Sequence, residues 1–181
     1  MQKTETNEQP QTDRVDVILD QWRRERPDLE LAAMGTIGRI KRSAAFAQRN
    51  LGEVFSVYNL TLWEFDVLAT LRRSGKPCRM SPTELFSMLM ITSGTMTHRM
   101  NRLETRGLIE RLANPADSRS RLVQLTKKGF DLINEAVSAH VDNIEALLAP
   151  LGSDDRDELD RLLRKVLSIL EPPAPDLTEK E

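Results

Sequence analysis

Residues 81–106 read SPTELFSMLMITSGTMTHRMNRLETR, and the organisation of the chain turns on them. Ser81 stands where it can cap a helix, with Pro82 at the first helical position and Glu84 three residues on, a capping-box spacing. Leu85, Met88 and Leu89 recur at helical intervals. Ile91, Thr92 and Ser93 interrupt that run, and Thr92 or Ser93 can cap a second helix. In the second helix Met96, Met100 and Leu103 share one face. Thr95, Thr97, His98, Arg99, Asn101 and Arg102 are left on the other. Short hydroxyls, an amide and arginines are the side chains that reach base edges and phosphates in a major groove. Two short helices with one apolar face and that chemistry opposite predict a helix-turn-helix.

Upstream, Thr61 and Glu64 form another capping-box pair. Leu62, Phe65, Val67, Leu68 and Leu71 make the helix that follows strongly apolar, and Ser74-Gly75-Lys76-Pro77 ends it. A longer helix is expected over Leu31–Val57, with Met34, Ile37, Ile40, Ala44, Ala45 and Leu51 spaced for packing; Gly35 and Gly38 weaken its start. Before it, Val15, Ile18, Leu19 and Trp22 mark one face of a first helix that begins near Asp13 and stops near Pro27. Residues 1–12 are polar and aperiodic, the composition of a disordered segment.

Downstream, Gly107 closes the second short helix and the period changes. Leu108 and Ile109 open one strand. Val123 and Leu125 alternate with Gln124 and Thr126 in another. Asn114-Pro115-Ala116-Asp117 between them is turn chemistry. The pattern is a two-stranded hairpin with a charged tip, a wing attached to the helix-turn-helix. Thr126 caps a long helix carrying Phe130, Ile133, Val137, Val141, Ile144 and Leu148 along one side. Ser153 is placed to cap a last helix that puts Leu159, Leu162, Leu163, Val166, Leu167 and Leu170 inside, and Pro172, Pro173 and Pro175 end it.

The charge is distributed unevenly. Over its 181 residues the chain carries a formal net charge of −2. Between Thr92 and Lys128 there are eight arginines and lysines against three acids, and between Gly129 and Glu171 four against ten. A basic middle beside an acidic tail fits a local DNA footprint on a soluble body, and fits an ordinary solvated surface as well. The one cysteine, Cys78, rules out an intrachain disulfide and suits a reducing cytosol. No apolar signal core and no run of about 18 apolar residues is present, so a cytoplasmic protein without a membrane span is expected. Neither of the two histidines, His98 and His140, lies in a metal-binding or catalytic motif. No glycine-rich phosphate loop or nucleophile elbow occurs. The expectation is a protein with no catalytic residue, no metal and no cofactor.

The order of helix, helix, helix-turn-helix, wing, long helix and helix resembles the MarR family of bacterial transcriptional regulators. Leu60-Thr61-Leu62-Trp63-Glu64-Phe65-Asp66-Val67-Leu68 is similar to the helix leading into that family's reading head. Ser93–Arg99 and Arg102–Ile109 resemble its recognition helix and exit. Asn114–Ser120 resembles its wing, with Asp117 and Arg119 two apart, and Leu125–Gly129 its entry to the dimer helix. Ser118 stands where the family's wing has a second arginine. The resemblance implies a mainly α fold: a winged helix-turn-helix over residues 58–127, N-terminal helices over 13–57, C-terminal dimerisation helices over 128–171, and a tail from 172 to 181. It implies a homodimer on double-stranded DNA, with a palindromic operator whose half-sites lie about 10 bp apart, and repression relieved by a ligand as the default. The residues expected to face DNA are Ser93, Thr95, Thr97, His98, Arg99, Arg102, Arg119 and Arg121. Arg119 would enter a minor groove or lie on phosphate.

Within that family, the subset that answers to urate carries an extra N-terminal helix with a tryptophan, and this chain resembles it. By position Trp22, Asp66, Arg99 and Arg111 match residues linked there to the ligand and its relay. An aromatic plane stacked on Trp22 and an anionic oxygen paired with Arg111 make a coherent site for urate or another small aromatic or phenolic anion. The structural alternatives are a Trp22 that docks the first helix and an Asp66–Arg111 ion pair. Two other functions stand beside this one: a dimeric winged-helix module that binds protein without specific DNA binding, and redox sensing through Cys78.

Overall fold

The computed structural model describes residues 12–89, 96–115 and 117–171; for Met96, Thr97 and residues 117–119 it describes the backbone alone. The expectations for residues 1–11, for the Thr92 or Ser93 cap and for the tail from Pro172 fall outside the described residues. Two compact units are present, one up to Glu53 and one from Val54.

In the first unit, α1 (Arg14–Glu25) starts at Asp13, whose carboxylate accepts from the Val15 and Asp16 amides while Asp16 returns a bond to the Asp13 amide. Helix α2 (Ala32–Val57) follows a short turn. Val15, Leu19 and Leu31 form the buried cluster. Gly35 and Gly38 have a use there that helix propensity does not reveal. A Cβ on Gly35 would lie 3.0 Å from Leu19 Cδ1, and one on Gly38 3.2 Å from Val15 Cγ1. The glycines let α1 lie close against α2. Arg39 fixes the contact by donating to Asp13 at 2.8 Å and to Asp16 at 2.5 Å. Ile18 and Trp22, read from spacing as part of the packed face, are exposed, as are Met34 and Ile37.

The second unit is built on α3 (Leu62–Arg73), which buries Glu64, Phe65, Val67, Leu68, Thr70 and Leu71. Both faces are covered, which explains its nearly continuous apolar run. The Thr61 capping box forms as its spacing predicts. So does the one at Ser81 before α4 (Pro82–Leu89). Leu85 of α4 is buried while Met88 faces solvent. Helix α5 (Met96–Thr105) ends in a Schellman turn: the Leu108 amide donates to the Leu103 carbonyl, the Gly107 amide to the Glu104 carbonyl, and Gly107 takes φ +67°.

The hairpin predicted after α5 is β2 (Ile109–Asn114) and β3 (Asp117–Leu125), antiparallel, with Arg111 opposite Val123 and an irregularity at Ala113/Asn114. A third strand, β1 (Arg79–Met80), adds to the free edge of β3 and makes the sheet three-stranded, in the order β1-β3-β2. The two-stranded wing forms as expected, and β1 extends its sheet by a short strand. A two-residue strand has no period to detect; its pairing partners, Gln124 and Val123, define it.

Helix α6 (Lys127–Leu148) is capped by Thr126 and buries Gly129, Ile133 and Ala136. Arg72 ties it to α3, donating to Asn134 at 2.8 Å with its guanidinium 4.6 Å from the Phe130 ring centroid. After a 3-10 turn, α7 (Ser153–Leu170) begins at Gly152, and the expected Ser153 cap does not form: Ser153 is the first helical residue and donates to Asp154. The apolar face of α7 is not inside the single chain. Leu159, Leu162, Leu163, Leu167 and Leu170 are all exposed. Val166 lies at the same helical spacing.

Candidate nucleic-acid interface

Helix α5 is held from below by its apolar residues. Met100 and Leu103 are buried with Leu108 and Ile109, while His98, Asn101 and Arg102 are exposed and Arg99 is half-buried. Fully burying two such side chains contributes about 1.5–3 kcal/mol each, so the side that points outward is fixed. The face predicted for DNA is therefore the solvent face for His98 and Arg102. Ser93 and Thr95 lie outside the described residues. Thr97 and Arg119 are placed by their backbone, on α5 and β3. Arg121 lies on β3, opposite Ala113, and is exposed. Near the wing tip, Asn114 donates to the Ser120 hydroxyl at 2.8 Å, bracing the turn.

The charged groups around α5 are linked to named partners. Arg99 places its guanidinium 5.3 Å from the Trp63 ring centroid, a cation–π contact that orients it. Arg111 of β2 donates to Asn101 at 2.7 Å and lies 3.4 Å from Glu104, joining wing to helix. Glu64, on α3, is wholly buried and accepts from Arg106 at 2.7 Å, with Arg102 Nε at 3.3 Å. Burial alone pushes the Glu64 carboxyl up. The bonds from Thr61 and Arg106 outweigh it and hold the group below the ordinary carboxylate range. Lys128 donates to the Arg106 carbonyl at 3.0 Å, and Lys127 pairs with Asp131 at 2.7 Å. Both lysines therefore have structural partners as well as charge.

The four residues matched to a ligand site lie in different surroundings. Trp22, in the first unit, is exposed on α1. Arg99 faces Trp63, and Arg111 faces Asn101 and Glu104. Asp66, on α3, is half-buried; desolvation raises its pKa, against the opposing charges of Arg73 and His140. His140 of α6 packs its ring 5.4 Å from Phe55 and 5.0 Å from Phe65, and its Nδ1 is buried with no hydrogen-bond partner among the described residues. Desolvation lowers its pKa, and Asp66 opposes that shift. Cys78 is 3% exposed, the sulfur packed in the loop before β1. Burial of that kind keeps a thiol unreactive.

Sequence reasoning treated Glu64 as a cap alone and left Arg106 unassigned. The available signal was an acid inside an apolar helix, together with arginines four apart at 102 and 106.

The chain matches the family model described as MarR family over residues 60–120. It is 43% identical over 152 residues to the HTH-type transcriptional regulator PecS of Dickeya dadantii, covering 84% of this chain and 92% of that protein. It is 33% identical over 120 residues to the multiple antibiotic resistance protein MarR of Salmonella typhimurium, covering 66% and 81%. Among solved structures, a mutant MarR from E. coli complexed with operator DNA is similar at a TM-score of 0.66 and 30% identity, over 76% of this chain and 97% of that one.

Proposed function

We propose, for a chain that belongs to the MarR family of winged-helix DNA-binding transcriptional regulators, a homodimeric repressor that leaves a palindromic operator when a small aromatic anion binds. The observation that carries the DNA side is α5 itself. Its inward Met100 and Leu103 fix His98 and Arg102 outward, next to a wing that presents Arg121. Ser93, Thr95, Thr97, Arg99 and Arg119 complete the proposed contact set. The reading helix supplies base contacts together with phosphate contacts, and the wing supplies phosphate or minor-groove contacts. Two-fold symmetry sets the half-sites about 10 bp apart. A gel shift on the DNA flanking the chain's own coding region tests this: specific, salt-sensitive retardation is expected. Retardation indifferent to sequence would favour a protein-interaction module instead.

The effector half of the proposal rests on Trp22, Asp66, Arg99 and Arg111. An exposed indole offers a stacking plane, and Arg111 offers a fork for an anionic oxygen. Arg99, on the reading helix, would carry the change to DNA. A ligand that releases DNA must bind the released form more tightly. Calorimetry with urate, xanthine, salicylate and a hydroxycinnamate tests this half: one of them should bind the wild type and lose affinity in Trp22→Ala. Binding by none, or binding indifferent to Trp22→Ala, would remove it.

A further inference from the structure

We propose that Glu64 is a specificity-determining residue for DNA binding: from inside α3 it withholds Arg106 from the phosphate backbone and restrains Arg102, so that α5 selects by base contacts rather than by charge. The inference rests on α5 being the DNA-reading helix.

The carboxylate divides its two oxygens between two tasks. Oε2 accepts from the Thr61 amide at 2.9 Å and from the Thr61 hydroxyl at 3.0 Å, closing the cap of its own helix. Oε1 is turned to α5, where Arg106 Nη1 donates at 2.7 Å and Arg102 Nε lies at 3.3 Å. The carboxylate is 0% exposed, the Arg106 side chain 25% and the Arg102 side chain 55%. A buried carboxylate must keep a cation, because an unpaired buried charge is strongly destabilising. Arg106 is that cation. Its second amine donates to the Asn59 carbonyl at 2.8 Å, which leaves its planar fork committed.

Arg102 is the other kind of partner. It is farther from Oε1 and mostly in solvent, so it can swing to a phosphate while Arg106 keeps Glu64 neutralised. Two guanidiniums thus meet one carboxylate, and a duplex is offered one mobile cation instead of two. Non-specific affinity scales with the phosphates a protein neutralises, whereas discrimination comes from base edges. An acid hidden beneath the reading helix therefore weakens binding most on random DNA, where charge supplies nearly all the affinity, and so preserves the margin for the right sequence.

The test uses the full chain, an operator selected from random duplexes by the wild type, and a random-sequence duplex. Glu64→Gln keeps an oxygen for the Thr61 cap and removes the charge. It should steepen the salt dependence on random DNA by about 0.9 in log–log slope, one more phosphate neutralised. The operator-to-random affinity ratio should fall roughly tenfold. A merely structural role would weaken both duplexes by one factor and leave slope and ratio alone, and that result overturns the proposal. Arg106→Gln should act in the opposite sense, because Glu64 then takes Arg102 as its cation and the slope becomes shallower by about 0.9. If Glu64→Gln does not fold, this variant decides, and an unchanged slope overturns the proposal. A wild type that enriches no sequence overturns instead the reading on which it rests.

Discussion

At Gly129 a single hydrogen atom is all that fits. A Cβ built there would lie 1.9 Å from the Leu108 carbonyl oxygen, a backbone atom that cannot move aside. Gly129→Ala should therefore destabilise the second unit by about 1–3 kcal/mol or more, read as a lower urea midpoint. Propensity alone would have predicted the opposite sign in a helix. His140 gives a residue-scale prediction about pH. Burial lowers its pKa against the pull of Asp66. The unfolded chain then takes up a proton near the ordinary value of 6.5 while the folded chain does not. The stability contributed by a neutral His140 is present above that value and is lost as pH falls below it toward the folded pKa. His140→Phe should flatten that part of the stability–pH curve in urea titrations. A curve unchanged by the substitution would remove His140 from the account.

Among the elements, α1 depends on the closeness that Gly35 and Gly38 allow. Gly38→Leu should force Val15 away and loosen α1, so trypsin should cut after Arg23 or Arg24 faster than in the wild type, with the rest of the chain resistant. The elements also show what was legible beforehand. The boxes at Thr61 and Ser81 and the turn at Gly107 are written in residues three or four apart, so sequence carries them. The β1 strand is two residues long and exists through β3, and Glu64 meets Arg106 across 42 positions. No local pattern encodes either. The site was legible to the same degree: the outward faces of His98 and Arg102 follow from period, whereas the partners of Arg99 and Arg111 follow from the fold. Trp22 and the α7 leucines mark the opposite failure. Amphipathic spacing identifies a face and does not say whether the same chain covers it.

At the scale of the molecule, the apolar face of α7 is left uncovered by the described residues of its own chain. Leu162, Leu163 and Leu167 line α7, and Ile169 and Leu170 are 79% and 65% exposed. In the proposed dimer, a continuous apolar stripe of this kind would be the association surface. Sedimentation at micromolar concentration should give a dimer. Leu163→Glu with Leu167→Glu should give monomers whose operator affinity falls roughly 100-fold, since two linked half-sites gain by avidity. Monomers of unchanged affinity would separate dimerisation from DNA binding.

The junction between α5 and α6 has a mechanical meaning. Thr126 donates to the Gly107 carbonyl at 2.7 Å, Lys128 to the Arg106 carbonyl at 3.0 Å, and Gly129 presses on Leu108. Three consecutive backbone positions after the reading helix are thus riveted to the first turn of a 22-residue rod. Tilting the rod should swing α5 with it, through an arc that grows with the length of the lever. In the proposed dimer the angle between two such rods is the caliper setting that determines which operator spacing can be gripped.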